Sequence, residues 1–466
     1  MIFTYKIIPK TFIFHFFYYF IYIEYTVFLM KFIIHYIKKT IFFFFKVSVK
    51  FRLIKISSYL LYINIRKLYF KNKEFKNIIV LEKSHGIEDI KIAYYKSSKK
   101  VNLFVLQRKF IQIIFHSFFK NRSHELRDNY YRIDDLDLKN KQDNYKKFLD
   151  KIIKDLHKYL HLSAIISFNF KYYAERELHE VCKNNKIKFI ACHKECNVFD
   201  GEIEYYNKIL KNVGRFQGDL ITVYNQRYKD LLVQNDIFDS QKIIVTGMPR
   251  ADIFYDKSKN KKEYVLILLV STQRSLKYIN EVNSTKTLNC NEQSLNWENL
   301  ATNLIRCVLE VAKEFPKTRF VFKTKIKNDP QTLLQQKLIL ESNLQNCDIK
   351  YGGNSIKQIK NAKFIIGFNT TGLIEGVIAN KKILMPFFNL ENNKYKKKFL
   401  LNDYNLSLKA NSLNQMKDLI SKNILDENIQ IDYDKIIKNN MVFEHVGNVD
   451  GNSSERLTRA IEELLN

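Results

Sequence analysis

From residue 77 almost to the end of the chain, short apolar runs alternate with longer stretches in which hydrophobic side chains recur every three or four positions. The runs at 77–81, 101–107, 164–168, 186–192, 220–224 and 243–246 read as strands, because a strand buried on both faces is almost continuously apolar. Between them, 144–160 carries Phe148, Ile152, Ile153, Leu156 and Leu160 at the spacing of one helix face. The polar run 256–262 reads as a linker. A second series follows it, with strands at 264–270, 319–323, 363–367 and 381–386 and helices at 297–315, 330–341, 371–379 and 413–423. Strands alternating with helices predict α/β domains with parallel sheets covered on both sides. We therefore expect a first domain over 77–256, a second domain over 263–440 and a terminal helical segment over 441–466. Ligands of open α/β folds bind beyond the carboxyl ends of the strands, so chemistry is expected in the cleft between the two sheets.

Residues 1–76 break this pattern. From Thr11 to Ile37 the chain is mostly Phe, Ile and Tyr, long enough to cross a bilayer at about 20 residues per span. Glu24 and Lys31 interrupt the run, lysines lie on both flanks, and there is no small-residue cleavage site. The four phenylalanines at 42–45, followed by Lys46, Lys50, Arg52 and Lys55, suit a segment lying in a membrane interface. Peripheral contact with an anionic membrane is the expectation. An unordered extension, translation from Met30 and a true span remain the alternatives.

A length of 466 residues exceeds what one core ordinarily supports, and 46% hydrophobic with 27% charged residues excludes a disordered or fibrous chain. Only 12 Gly and 5 Pro beside 37 Phe and 28 Tyr is the signature of an AT-rich coding sequence. That bias changes how the charge of +29 is read, since lysine enrichment then need not answer a polyanion. Residues 1–80 hold 14 Lys+Arg against 2 Asp+Glu, so +12 sits in the segment outside the α/β pattern. No basic-aromatic nucleic-acid motif appears, and no nucleic-acid partner is expected. The six cysteines form no regular spacing and read as reduced thiols. Cys192 and Cys196 around His193, and His157 with His161, each lack the second half of a metal site, so no metal is expected.

The chemistry-bearing stretches fall at strand ends. The run 363–376 ends a strand in Gly367, offers Asn369, Thr370 and Thr371 in a short loop and starts a helix at once, an arrangement suited to a phosphate. Glu375, about one turn further, would accept the hydroxyls of a ribose, or would be a solvated side chain behind an ordinary threonine cap. Lys323 and Lys325 share one face at a strand end and would offset charge on a departing diphosphate, or would be two solvated lysines. His193, with Lys194 and Glu195, lies just past another strand, where an imidazole or carboxylate takes a proton from an attacking hydroxyl or is a structural histidine. Arg250, in the turn 245–252, would reach a phosphate or hold the turn.

Taken in order, FIACHKE (189–195), VTGMPRAD (245–252), FKTK (322–325), GFNTTGLIEG (367–376) and VGNVDGNSSER (446–456) resemble the GT-B type glycosyltransferases of bacterial surface-carbohydrate (capsule and lipopolysaccharide) biosynthesis, over roughly 77–466. The resemblance implies two Rossmann-like domains, a nucleotide-sugar donor held mainly by the second, a glycan or lipid-linked acceptor approached from the first, and no metal or other cofactor. It points to Asn369, Thr370, Thr371 and Glu375 for the donor, Lys323 and Lys325 for its phosphates, and His193 with Glu195 near the reacting centre; Arg250 is added to the donor-binding set on its own position in the turn. It also implies a final helix that crosses back to the first domain; the expected location, peripheral at the inner face of the cytoplasmic membrane, comes instead from residues 1–76, which lie outside the likeness. A sugar-nucleotide epimerase or a glycerophosphotransferase using a CDP-glycerol-type donor fits the same fold. A non-enzymatic basic binding protein is the alternative of another class.

Overall fold

The computed structural model describes residues 30, 32, 36–96, 100–119, 135–198, 202–255, 263–268, 297–324, 330–353, 355–368, 370–388, 401, 404–426, 433–447 and 450–466. The linker 256–262, Lys325 and Asn369 lie outside the described residues.

The chain forms an α/β protein with two sheets. In the first, β1 (Arg66–Tyr69), β2 (Lys76–Glu82), β3 (Val101–Gln107), β4 (Leu162–Ser167), β5 (Lys188–Cys192), β6 (Leu220–Val223) and β7 (Ile243–Val245) lie in the order β1-β3-β2-β4-β5-β6-β7. All neighbours are parallel except β1, which adds antiparallel to the β3 edge. In the second, β8 (Tyr264–Leu268), β9 (Phe320–Thr324), β10 (Cys347–Tyr351), β11 (Ala362–Gly367), β12 (Ile383–Pro386) and β13 (Leu408–Ala410) lie in the order β10-β9-β8-β11-β12-β13, all parallel. Each sheet is doubly wound. The chain moves outward in one direction from its first parallel strand and then returns to build the other side. The two crevices so created lie between β2 and β4 and between β8 and β11.

Tyr264 to Leu268 are all buried, as are Ala164 to Ser167 and Phe189 to Cys192, which explains why these strands are visible as apolar runs. The helix expected at 144–160 begins earlier, at Leu136. Asp135 caps it by accepting from the N–H groups of Asp137 and Leu138 at 2.9 and 3.2 Å, and it ends at His161 with φ +46°.

The described part of the segment before residue 77 is built into the first domain. Phe45 and Val49 of the helix over 36–50, and Leu61 of the helix Ile54–Asn64, join the core. Phe45 and Phe42 both meet the Phe110 ring edge-on, at 5.0 and 5.7 Å. Arg52 donates to Ser117 Oγ at 2.8 Å, and Lys55 pairs with Asp155 at 2.7 Å. The opposite faces of these helices leave Phe43, Phe44, Ile56 and Tyr59 exposed, and the turn between them exposes Phe51. Among the described residues no helix is long and apolar enough to cross a membrane.

The last helix, Ser453–Leu465, lies on the first domain. Asp252 accepts from the N–H groups of Ser453 and Ser454 at 3.1 and 2.6 Å, satisfying two amides that a helix start leaves open. Leu457, Ala460 and Ile461 pack with Ile78, Val80 and Ile90. Arg456 adds a further tie, from Nε to Thr246 O at 3.0 Å, and holds Asp450 through two bonds of 2.9 and 3.0 Å.

That last pair carries a pH signature. The Arg456 bond draws the Asp450 carboxyl down from its ordinary value near 3.8 to about 2. A depressed carboxyl contributes stability that is present above its unfolded value and is lost as pH falls toward the folded one. The pair is partly solvated, so its contribution is at most about 1 kcal/mol. Arg456→Gln should therefore lose stability at pH 6 and lose less than the wild type between pH 4 and 2, which thermal melts across that range would record.

Candidate functional site

The carboxyl ends of the two sheets meet around a buried cluster. Pro249–Tyr255, a 3-10 turn following β7, packs on the first-domain helix Gly86–Lys96 and on the second-domain helix Gly372–Ile378. It places Arg250 between the lobes. Its Nη1 donates to both carboxylate oxygens of Asp89, at 3.2 and 3.0 Å, and to Tyr224 Oη at 2.8 Å. Its Nε donates to Glu375 Oε1 at 3.2 Å. Tyr224 in turn donates to Asp89 at 2.6 Å, and the Arg250 N–H reaches the same carboxylate at 3.1 Å. Burial alone would lower the Arg250 pKa, but Asp89, Tyr224 and Glu375 outweigh it and hold the guanidinium charged. Of the two roles open to Arg250, the geometry gives the structural one: it fixes the turn and joins the lobes.

The Glu375 carboxylate, expected to accept the hydroxyls of a ribose, is thereby engaged through one oxygen by a guanidinium. The contact nevertheless fixes the direction of the β11 junction. The helix face carrying Glu375 looks at the first domain. Gly367 ends β11 so close to β8 that a Cβ there would stand 2.7 Å from Leu268 O, and one on Gly372 would stand 2.9 Å from Leu268 Cδ1. These two glycines let the loop press against the end of β8. Between them, Thr370 is half-buried and Thr371 exposed, and Thr371 makes no capping hydrogen bond at the helix start. Lys323 lies at the end of β9, in register with Leu268 and with Lys350, and its ammonium donates to Thr324 O at 3.0 Å. Thr370, Thr371 and Lys323 thus share the carboxyl edge of the second sheet.

The first-domain edge is more crowded. His193 does not reach an open surface. It is 1% exposed, with its ring 4.7 Å from Tyr228 and 5.0 Å from Phe170. Neither ring nitrogen makes a well-formed hydrogen bond, although the Glu195 backbone lies close, and burial drives the pKa well below the ordinary histidine value. A base that must meet an incoming hydroxyl needs access, and the aromatic packing denies it. Glu195 is different: half of its side chain is exposed, and it accepts from Asn169 Nδ2 at 2.9 Å.

Sequence reasoning did not single out several groups at this edge. Arg108, just past β3, lies over the Tyr172 ring at 3.6 Å and bonds Glu175, which also accepts from Ser167 Oγ. Burial raises the Glu175 pKa against the opposing pull of Arg108 and Ser167. Lys83 follows β2, and Asp89 lies on the helix after it. Their signal was position alone, one residue or one helical turn past a strand end, in a chain where Lys and Asp are common.

The fold and this edge define a class: a two-domain, doubly wound α/β protein with polar groups gathered where the carboxyl ends of both sheets converge. No protein family matches the chain, and no curated protein does. Solved structures with a similar chain path include the UDP-GlcNAc 2-epimerase of Methanocaldococcus jannaschii, at 12% identity and a TM-score of 0.46, covering 83% of this chain and 99% of that one. The UDP-GlcNAc 2-epimerase of Neisseria meningitidis, bound to UDP-GlcNAc, has 11% identity and a TM-score of 0.46, covering 84% and 100%. A glycosyltransferase of Rickettsia africae has 14% identity and a TM-score of 0.40, covering 84% and 99%.

Proposed function

We infer that the protein is an enzyme that holds a nucleotide-sugar in the gap between its lobes and transfers the sugar to a glycan or lipid-linked acceptor. The observation that carries this reading is the topology of the second sheet. Its switch point, the crevice between β8 and β11, coincides with the glycine-lined junction that carries Thr370 and Thr371, and doubly wound folds take their ligands at such a point. Lys323 on the same edge offsets charge on the leaving diphosphate. Glu195, the accessible carboxylate across the gap, is the proton acceptor if the reaction inverts configuration; a retaining reaction needs no such base.

A sugar-nucleotide epimerase is the second reading. It uses the same donor site, and the carboxylate of Glu195 supplies a proton-transfer group such a reaction also requires. Incubation with a labelled nucleotide-sugar separates the two. The leading reading predicts free nucleotide formed only when an acceptor is present, and an epimer of the donor formed without acceptor would replace it with the second.

The reading places the enzyme against an anionic membrane. Phe43, Phe44, Phe51, Ile56 and Tyr59 are exposed beside Lys46 and Lys50, whose ammonium groups lie 5.0 and 5.8 Å from the Phe42 and Phe51 rings. Changing Phe43, Phe44 and Phe51 together to Ser should abolish co-sedimentation with phosphatidylglycerol vesicles while leaving donor turnover in solution unchanged.

A further inference from the structure

The cations at the first-domain edge differ in how their charge is met. Arg108 is committed to Glu175, and Arg250 to Asp89 and Glu375. Lys194 is not so committed. Only a tenth of its side chain is exposed, yet its ion pair with Glu195 is 3.9 Å long, beyond hydrogen-bond reach, and it makes no side-chain hydrogen bond among the described residues. Burial lowers its pKa; Glu195 and Asp89 oppose that, while Lys83 and Arg250 add to it. Lys83 likewise has no ion pair among the described residues.

Their positions are set by the sheet. Lys83 directly follows β2, and the Lys194 N–H donates to Phe168 O, just past β4, at 3.4 Å. The two lysines therefore bracket the crevice between β2 and β4, the switch point of the first sheet. An ammonium whose donors are not taken up by the protein is open to an acceptor that enters the crevice. Two ammonium groups without a hydrogen-bonded partner among the described residues suit the several oxygens of one phosphate, which can accept from both, better than a neutral sugar hydroxyl.

We propose that Lys194 and Lys83 form a phosphate subsite of the first domain, facing the donor site across the gap. This rests on the nucleotide-sugar reading for its biological ligand, though not for its chemistry. The phosphate comes either from the donor diphosphate or from a phosphorylated acceptor.

Titration calorimetry on the full chain tests it, with inorganic pyrophosphate and a nucleoside diphosphate as separate probes and with Lys194→Met, Lys83→Met and Lys323→Ala as variants. Lys194→Met should weaken pyrophosphate binding by about tenfold or more, the loss of one charge-assisted hydrogen bond, and Lys83→Met should weaken it too. The melting temperature of unliganded Lys194→Met should be unchanged, because that ammonium makes no side-chain hydrogen bond among the described residues that the substitution could remove. If Lys194→Met also loses the nucleoside diphosphate, the subsite serves the donor; if it keeps it, the subsite serves an acceptor phosphate. Pyrophosphate bound by wild type and lost in Lys194→Met, with no nucleoside diphosphate bound by either, would leave the subsite standing and remove the nucleotide-sugar reading. Wild-type affinity for pyrophosphate in Lys194→Met, no pyrophosphate binding by the wild type, or a lowered melting temperature in the variant, would overturn the proposal.

Discussion

Replacing Arg250 with Met is expected to destabilise the protein by about 3–5 kcal/mol, because it leaves the carboxylates of Asp89 and Glu375 buried without their cation. Melting should fall by roughly 10 °C for a unit of this size. The loss should be shared by both domains, since Asp89 and Tyr224 belong to the first and Glu375 to the second. Arg250→Lys should recover only part of it: an ammonium is a point charge and cannot bond both Asp89 and Glu375 in the directions a guanidinium offers. Removing the other two charged members as well tests the cause. In Arg250→Met with Glu375→Gln and Asp89→Asn, the buried charges disappear together, and the cost should shrink well below that of the single change. If Arg250→Met melts within a degree or two of wild type, the junction is not the tie between the lobes.

The second large effect is expected at Gly447. This residue closes the helix Lys435–Val446 with φ +91°, its N–H donating to Val442 O and Phe443 O at 3.0 and 3.1 Å. A Cβ here would stand 1.6 Å from Tyr224 O. Gly447→Ala therefore combines left-handed strain of roughly 1–2 kcal/mol with a clash against backbone that cannot rotate away, for a total of about 3–5 kcal/mol. The consequence reaches further than the helix end. The carbonyl that must move belongs to the tyrosine that bonds Asp89 and Arg250, and Asn225, next to it, donates to His445 O at 3.1 Å. The returning segment and the inter-lobe cluster should thus lose stability together, seen as one earlier thermal transition and faster amide exchange in both 220–228 and 440–447. Normal stability in Gly447→Ala would mean the close approach is not maintained in solution.

Much of the architecture was legible because parallel strands buried on both faces announce themselves as apolar runs. β3 matches its expected bounds, and β2, β4, β8 and β11 lie within two residues of theirs. The strands missed are those whose burial is partial. β10 is Cys-Asp-Ile-Lys-Tyr with one fully buried residue, β13 has three residues, and β1 is an edge strand with Arg66 and Lys67 exposed. The helices over 36–64 were obscured differently. Their phenylalanines suggested a membrane interface, and nothing local says that Phe45, Val49 and Leu61 face a core while Phe43, Phe44 and Phe51 do not. Period alone cannot choose the partner of a helix face.

The site was legible in its location and less so in its contacts. The β11 junction could be found because glycine, threonine and a strand end adjoin in sequence. That it falls at the switch point depends on strand order, which no local pattern encodes. Arg250 meets a carboxylate 125 residues ahead and another 161 behind, so its neutralisation was invisible. His193 was found at a strand end, as expected, but its neighbours Phe170 and Tyr228 come from other elements and enclose it.

The central claim is that the β8–β11 crevice holds the diphosphate of an activated sugar. Hydrogen exchange on the full chain, with and without a saturating nucleoside diphosphate, tests it most directly. The account predicts slowed exchange from Gly367 to Glu375 and at the end of β9, diminished in Lys323→Ala. Protection confined to other parts of the chain, with these amides exchanging as in the free protein, would contradict it.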